Sequence, residues 1–450
     1  MVIQSKPIAL LLMGAAFFPT QRALAQPTDK PIAPGVAPPT AREGGTRIAD
    51  VIALALKHNE RARSPQERVR AAEAAVVKAR ASLIPSLSAT AGETLRPAPP
   101  TGSDTTSFAA TATLTAPIFA PSAYPLLSQS KHSAEAERHQ AGEDRRVLAY
   151  DVARAFLTAL TANEVKLAAD QRFVRAEANL ANARARAAAG FASSNDVTRS
   201  EIELASAKRE VESAIGTVAR AYIQLSFLTV VSVSGPLVEP TQTTRAAELR
   251  GVSDVKALCA TARLRRLDVR SSREKVEAAE QSAKEPMWRL APTIAFQGQV
   301  RATAPTGSSG RVDDETLQLT ASWPIFDGGS RYADRESRLA SLKIAMLDQS
   351  LLERRVEADV RVALANLQAA QGVYQAASSA VDSARRNTQE TEVLYKQGLA
   401  RAIELVDANA KRFDAEVALA TARLSMEQAY LELRFATGDG PLDTSEGGAR

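Results

Sequence analysis

The chain states one unit twice. Gly190-Phe191-Ala192-Ser193-Ser194-Asn195-Asp196 is answered by Gly398-Leu399-Ala400-Arg401-Ala402-Ile403-Glu404, an offset of 398 − 190 = 208. Ala221-Tyr222-Ile223-Gln224-Leu225 recurs as Ala429-Tyr430-Leu431-Glu432-Leu433, where 430 − 222 is again 208. Pro117-Ile118-Phe119 recurs as Pro324-Ile325-Phe326, and Leu83-Ile84-Pro85 parallels Leu290-Ala291-Pro292, both 207 apart (324 − 117, 290 − 83). A repeat this long is a tandem pair, since solenoid units are far shorter. The function must therefore suit a pseudo-symmetric object.

The start of the chain reads as a secretory signal peptide over residues 1–25. Lys6 supplies the basic segment, Ile8 to Phe18 the short apolar one, and Ala23-Leu24-Ala25 the cleavage site. That apolar run is shorter than the roughly 20 residues a spanning helix needs, and no other run reaches that length. The residue expected after cleavage is Gln26 and not cysteine, which argues against an N-terminal lipid anchor. Residues 26–45 are rich in Pro, Gly, Thr and Ala and read as a disordered linker. Cys259 is the only cysteine, so no intrachain disulfide exists; its helical surroundings make it a small buried residue. A net charge of +5 with both signs interspersed gives no basic tract for nucleic acid.

Aromatics make up only 5% of the residues. With so few of the bulky rings that usually fill a core, an alanine-rich chain packs as closely spaced helices. From Leu126 to Gly235, and again from Ile325 to Gly440, there is no proline, and the composition is strongly helical. Gly190 and Gly398 interrupt the two stretches once each, as helix ends followed by tight turns. The first helix of each pair should run about 65 residues, or about 100 Å, and the second about 35 residues, or about 50 Å. Helices this long must pack laterally as a coiled coil or bundle. Asn195-Asp196 supplies a capping signal for the helix after the first turn. Ahead of each long pair lies shorter helical pattern. In the first copy it runs from Ile48 to Ser82, with a break expected near Ser64-Pro65.

Between these helices the period changes to two. Leu317, Leu319, Ala321 and Trp323 alternate with Thr316, Gln318, Thr320 and Ser322. Phe108, Ala110, Ala112, Leu114 and Ala116 face away from Thr111, Thr113 and Thr115. Ile294, Phe296 and Val300 oppose Gln297, Gln299 and Arg301, while Ser86 to Leu95 alternates more weakly, with Glu93 intruding. Strands of roughly 9–11 residues are the length a tilted strand needs to cross a bilayer. They form two hairpins, about 86–118 and about 293–324, whose tips both contain Pro-Thr-Gly-Ser. The domain reading is a first repeat over 46–235, an inter-repeat linker over 236–250 read as loop, a second repeat over 251–438, and a disordered tail over 439–450.

Four strands cannot close around a lumen, and lipid does not tolerate open edges. Two copies would give eight strands, a barrel filled by its own side chains. Three would give twelve, within the outer-membrane range, and the Thr, Ser and Gln of the polar face suit a wet lumen. The element order, the duplicated Gly-x5-[Asp/Glu] tips, the Pro-Ile-Phe strand ends and the terminal Leu433-Arg434-Phe435-Ala436-Thr437-Gly438 resemble the TolC-type outer-membrane efflux proteins over roughly residues 46–438. The fold class implied is mainly α with a membrane β-barrel contribution. The family implies a homotrimer, with a 12-stranded barrel among outer-membrane lipid continued by a 12-helix periplasmic α-barrel. It also implies that substrate arrives from an inner-membrane transporter through a periplasmic adaptor protein, as in a tripartite efflux or type I secretion system. The competing reading is a periplasmic coiled-coil adaptor or scaffold without a membrane span, which leaves the bilayer-length strands unexplained.

A duct needs no catalytic group, and none stands out; no cofactor and no metal site is expected. His132 and His139, seven apart, share a helix face but lack further ligands in sequence. Glu404 and Asp407 are spaced i, i+3. In one chain they are a solvated acidic patch; in a trimer they become two stacked carboxylate rings, which attract cations. The resemblance places these two at the periplasmic gate. It also implies a tip latch of Tyr395 with Asp196, plus an arginine whose family position is Ala400, with Arg401 one residue further on. The turns Gly190-Phe191 and Gly398-Leu399 resemble the surfaces that receive adaptor hairpins.

Overall fold

The computed structural model describes residues 45–95, 97, 106–250, 254–305 and 312–442. The expected signal peptide, nearly all of the linker 26–45, most of both hairpin tips and most of the tail 439–450 lie outside these residues. The first copy comprises α1 (Ile48–His58), α2 (Glu60–Ala81), β1 (Ser86–Leu95), β2 (Thr106–Phe119), α3 (Ala123–Ala188) and α4 (Ser194–Thr229). After α5 (Thr241–Leu249), the second copy comprises α6 (Val255–Arg265), α7 (Leu267–Trp288), β3 (Thr293–Pro305), β4 (Val312–Ser322), α8 (Ser330–Gln397) and α9 (Ala402–Thr437). The offsets persist in the elements. α6 starts 255 − 48 = 207 residues after α1, α7 starts 267 − 60 = 207 after α2, and α9 starts 402 − 194 = 208 after α4. The long helices α3 and α8 have 66 and 68 residues and their partners α4 and α9 have 36 each.

Two sequence expectations are corrected. The break in the first helical stretch falls at Asn59 and not near Ser64-Pro65. Asn59 Oδ1 accepts from the Arg61 amide at 2.8 Å, capping α2, and its Nδ2 donates to the Leu228 carbonyl at 2.8 Å. Pro65 lies inside α2 and is buried. The segment 236–250, read as loop, contains α5, the one described helix without a counterpart 207 or 208 residues away among the described residues.

The core is duplicated with the elements. Around α3 the buried cluster holds Leu148, Val152, Phe156 and Leu225, joined by Ile48, Val51, Ile52 and Ala55 from α1. These α1 positions follow i, i+3, i+4, i+7, one face of a helix. Around α8 the matching cluster holds Val356, Val360, Leu364 and Leu433. Each lies 208 residues on: 356 − 148, 360 − 152, 364 − 156 and 433 − 225. Cys259 is buried in this second cluster at the place that Ile52 fills in the first (259 − 52 = 207).

The four strands form one antiparallel meander in the order β1-β2-β3-β4. α3 packs against α2 and α7, and α7 against α8. Strand order and helix order therefore run in parallel, and β1 with α2 and β4 with α8 form the two outer edges.

Candidate functional site

Register turns four separate alternations into two continuous faces. Leu87 pairs with Leu114, Leu114 with Gly298 and Gly298 with Leu317, an apolar row across the sheet. On the other face Ser88, Thr113, Gln299 and Thr316 line up, and Thr90, Thr111, Arg301 and Asp314 form the next such row. Leu87, Leu317 and Leu319 are largely exposed, as are all residues of β1. The hydrogen-bonding edges of β1 and β4 carry no partner strand among the described residues. An uncovered apolar face with open edges is not a stable surface in water. It fits a lipid-facing wall that neighbouring copies complete.

Below the sheet the turn into α8 is built by charge. The Arg331 guanidinium donates to the carbonyls of Pro324 (2.9 Å) and Ile325 (3.2 Å), and its Nε lies 2.9 Å from Asp327 Oδ2. Gly328 and Gly329, at φ 70° and 87°, take backbone that side chains rarely adopt. Trp323 and Phe326 stay exposed beside this turn, the placement of aromatics at a membrane–water boundary.

At the far end of the long helices, α3 ends at Gly190 (φ 79°) and α8 at Gly398 (φ 80°). Both turns present an apolar side chain: Phe191 is 79% exposed and Leu399 74%. The two starts that follow differ. Ser193 and Asp196 form a reciprocal capping box on α4, with Ser193 Oγ accepting from the Asp196 amide (3.2 Å) and Asp196 Oδ2 accepting from the Ser193 amide (3.1 Å). α9 begins at Arg401 with no side-chain cap.

This geometry does not assemble the latch within one chain. The Asp196 carboxylate is occupied by Ser193, and among the described residues the Tyr395 hydroxyl makes no hydrogen bond to it. The Arg401 side chain makes no ion pair among the described residues. Tyr395 is instead held by Arg186 of α3. Nη1 donates to the Tyr395 carbonyl at 2.6 Å, and the guanidinium lies 4.8 Å from the ring centroid. Sequence reasoning missed Arg186 because its partner is 209 residues away and accepts through the backbone. Glu404 and Asp407 are both exposed on α9, and Asp407 pairs with Lys411 at 2.8 Å.

A second charged group grips α5. Arg423 of α9 bonds the Glu239 carboxylate and lies 3.3 Å from both Glu164 of α3 and Glu427 of α9. Thr244 of α5 donates to Glu427 Oε1 at 2.5 Å, and Gln371 of α8 donates to the Ala247 carbonyl at 2.7 Å. Burial pushes the Glu427 and Glu164 carboxyls above their usual range, against the pull of Arg423. His132 and His139 have carboxylate neighbours that spacing did not show, Glu274 at 2.8 Å and Glu135 at 3.8 Å. Among the described residues no three His, Cys, Asp or Glu side chains gather as a metal site.

Comparison with known proteins matches this architecture. The family model described as outer membrane efflux protein covers residues 51–229 and 258–439. Outer membrane protein TolC of Vibrio cholerae is 22% identical over 379 residues, 82% of this chain and 85% of that protein. A membrane protein from Pseudomonas aeruginosa superposes with a TM-score of 0.73 at 19% identity, covering 90% of this chain and all of its own. The outer membrane protein VceC from Vibrio cholerae does so with 0.71 at 18%, covering 88% and 97%. The chain belongs to the outer membrane efflux protein family.

Proposed function

We propose that three copies assemble into an exit duct, with a twelve-stranded barrel in the outer membrane and the paired long helices forming a periplasmic tube. The observation that carries this reading is the apolar row from Leu87 to Leu317, bounded on both sides by strands with open edges. One protomer can neither close that sheet nor cover that face, and twelve strands fall in the range of outer-membrane barrels. The exposed Phe191 and Leu399 at the turns dock a periplasmic adaptor, which delivers substrate from an inner-membrane transporter. Glu404 and Asp407 line the narrow periplasmic end as acidic rings and favour cations there. The cargo is chosen by the transporter, because a wide duct with polar walls discriminates weakly.

Membrane fractionation tests the placement. The duct reading requires extraction of the protein with the outer membrane by detergent, followed by a native mass of three chains and pore activity in a planar bilayer. Release as a detergent-independent soluble monomer would overturn it.

A further inference from the structure

The helix pair α3/α4 and the helix pair α8/α9 are joined by a ladder of polar side-chain contacts. From the waist toward the tips its rungs are Arg154–Glu432 (2.9 Å), Thr158–Gln428 (3.5 Å), Glu164–Arg423 (3.3 Å) and Arg175–Glu416 (4.0 Å). Each runs from α3 to α9. Below them lies a rung of another kind, from Arg186 to Tyr395. Its donor is charged, its acceptor is a main-chain carbonyl of α8, and the aromatic face of Tyr395 lies under the guanidinium. Among the described residues Arg186 is the α3 side chain that hydrogen-bonds α8, whereas its neighbour Arg184 pairs with Glu201 of its own helix pair (2.7 Å). Tyr395 is only 8% exposed and packs on Ala402 and Leu405, so the carbonyl that Arg186 holds belongs to a fixed part of the second tip.

We infer that Arg186 ties the two tips of one protomer together and so sets how readily the periplasmic end opens. The inference rests on the gated-duct reading above. For a relative swing of two helix pairs hinged higher up, displacement is greatest at the tips, so the last rung resists opening with the longest lever. The tie also breaks the duplication. Applying the offset of 208, the counterpart of Arg186 is Leu394 and that of Tyr395 is Ala187. The pseudo-equivalent interface between neighbouring copies therefore lacks the same pair. A trimer carries one tie within each protomer and none of this kind between protomers.

The test is single-channel recording of the full-length trimer in planar bilayers, comparing wild type with Arg186→Gln, Arg186→Lys and Tyr395→Phe. A charge-assisted hydrogen bond contributes roughly tenfold or more to an equilibrium. Arg186→Gln is therefore expected to raise the ratio of high- to low-conductance dwell by about tenfold, with Arg186→Lys in between. Tyr395→Phe should behave as wild type, because the carbonyl and the ring face both remain. Wild-type dwell ratios in Arg186→Gln would overturn the tie. So would a Tyr395→Phe channel as open as Arg186→Gln, since the phenol hydroxyl would then be the holding group. The gate reading fails separately: a wild-type trimer without any low-conductance state overturns it and the tie together. A selectivity change in Glu404→Gln/Asp407→Asn with wild-type dwell in Arg186→Gln overturns the tie alone.

Discussion

Replacing Arg423 by methionine leaves the Glu427 carboxylate, with a side chain only 3% exposed, without its guanidinium. Removing one partner of a buried ion pair costs about 3–5 kcal/mol when the stranded charge stays ionised. The other two carboxylates add little, since Glu239 and Glu164 keep 43% and 33% side-chain exposure and water screens them. Glu427 retains the Thr244 hydroxyl, which puts the expected loss at the low end, about 3 kcal/mol at pH 8. The pH dependence follows from the direction of the shift. The folded-state pKa of Glu427 is raised, chiefly by burial. Its contribution to stability is therefore fully present below the unfolded pKa and is lost as pH rises through the folded one. Without Arg423 the folded value rises further, so Glu427 is protonated at pH 5 and needs no counter-charge. The defect should then shrink to under about 1 kcal/mol. The place to read it is α5, which Arg423, Thr244 and Gln371 hold down. Amide hydrogen exchange of residues 241–249 in the full trimer, corrected for the intrinsic pH dependence of exchange, reports local opening of that segment. Glu427→Gln should flatten the pH profile while keeping a partner for Thr244. Equal loss of protection at pH 5 and pH 8 in Arg423→Met would refute the account, because the charge on Glu427 would then not be what Arg423 balances.

Three further outcomes follow from other parts of the fold. Leu317→Arg places a cation in the apolar row that starts at Leu87; a charge there costs about 2–4 kcal/mol near the bilayer midplane, so the variant should accumulate outside the outer-membrane fraction. Glu404→Gln together with Asp407→Asn should move the reversal potential in a salt gradient toward zero; an unchanged reversal potential would remove these residues from the conduction path. Leu225→Ala and Leu433→Ala delete equivalent side chains, each at most 1% exposed, from the two duplicated cores. Each should cost about 2–5 kcal/mol by denaturant titration of detergent-solubilised trimer, and a large inequality between them would show that the two cores do not carry equal load.

Most of the fold was legible because its signals are periodic and local. Absence of proline over a hundred residues dictates long helices, and alternation of Leu317, Leu319 and Ala321 with Gln318 and Thr320 dictates a two-faced strand. The duplication supplied the rest, since a weak pattern in Ser86–Leu95 is confirmed by the stronger one in Thr293–Pro305. What escaped was decided across long separations. The break at Asn59 depends on the Leu228 carbonyl 169 residues away, which no propensity reveals. The helix α5 lies outside the repeat, so no second copy could expose it, and its holding groups come from α3, α8 and α9. At the tips the acidic pair and both glycines were readable. Arg186 was not, because an arginine on a charged helix carries no mark of which carbonyl it reaches.

Duplication alone makes a tube wall in which every protomer contributes two equal staves. Equal staves give no reason for one interface to part before another. The two departures from symmetry supply that reason. α5 and its Arg423 group brace only one of the two junctions between helix pairs, at the waist, and Arg186 with Tyr395 spans the same junction at the tip. Both lie within a protomer, between α3/α4 and α8/α9. The junction between protomers has Leu394 and Ala187 where the tip tie would be. Opening that parts protomers at the tips thus disturbs fewer polar contacts of this kind than opening that splits one. Cross-linking separates the two routes. A disulfide between α3 and α8 within a protomer, at Arg186→Cys with Tyr395→Cys, should leave full opening possible, whereas one joining neighbouring protomers at Ala187→Cys with Leu394→Cys should hold the channel in its low-conductance state. The reverse pattern would show that the protomer splits along its own braced junction.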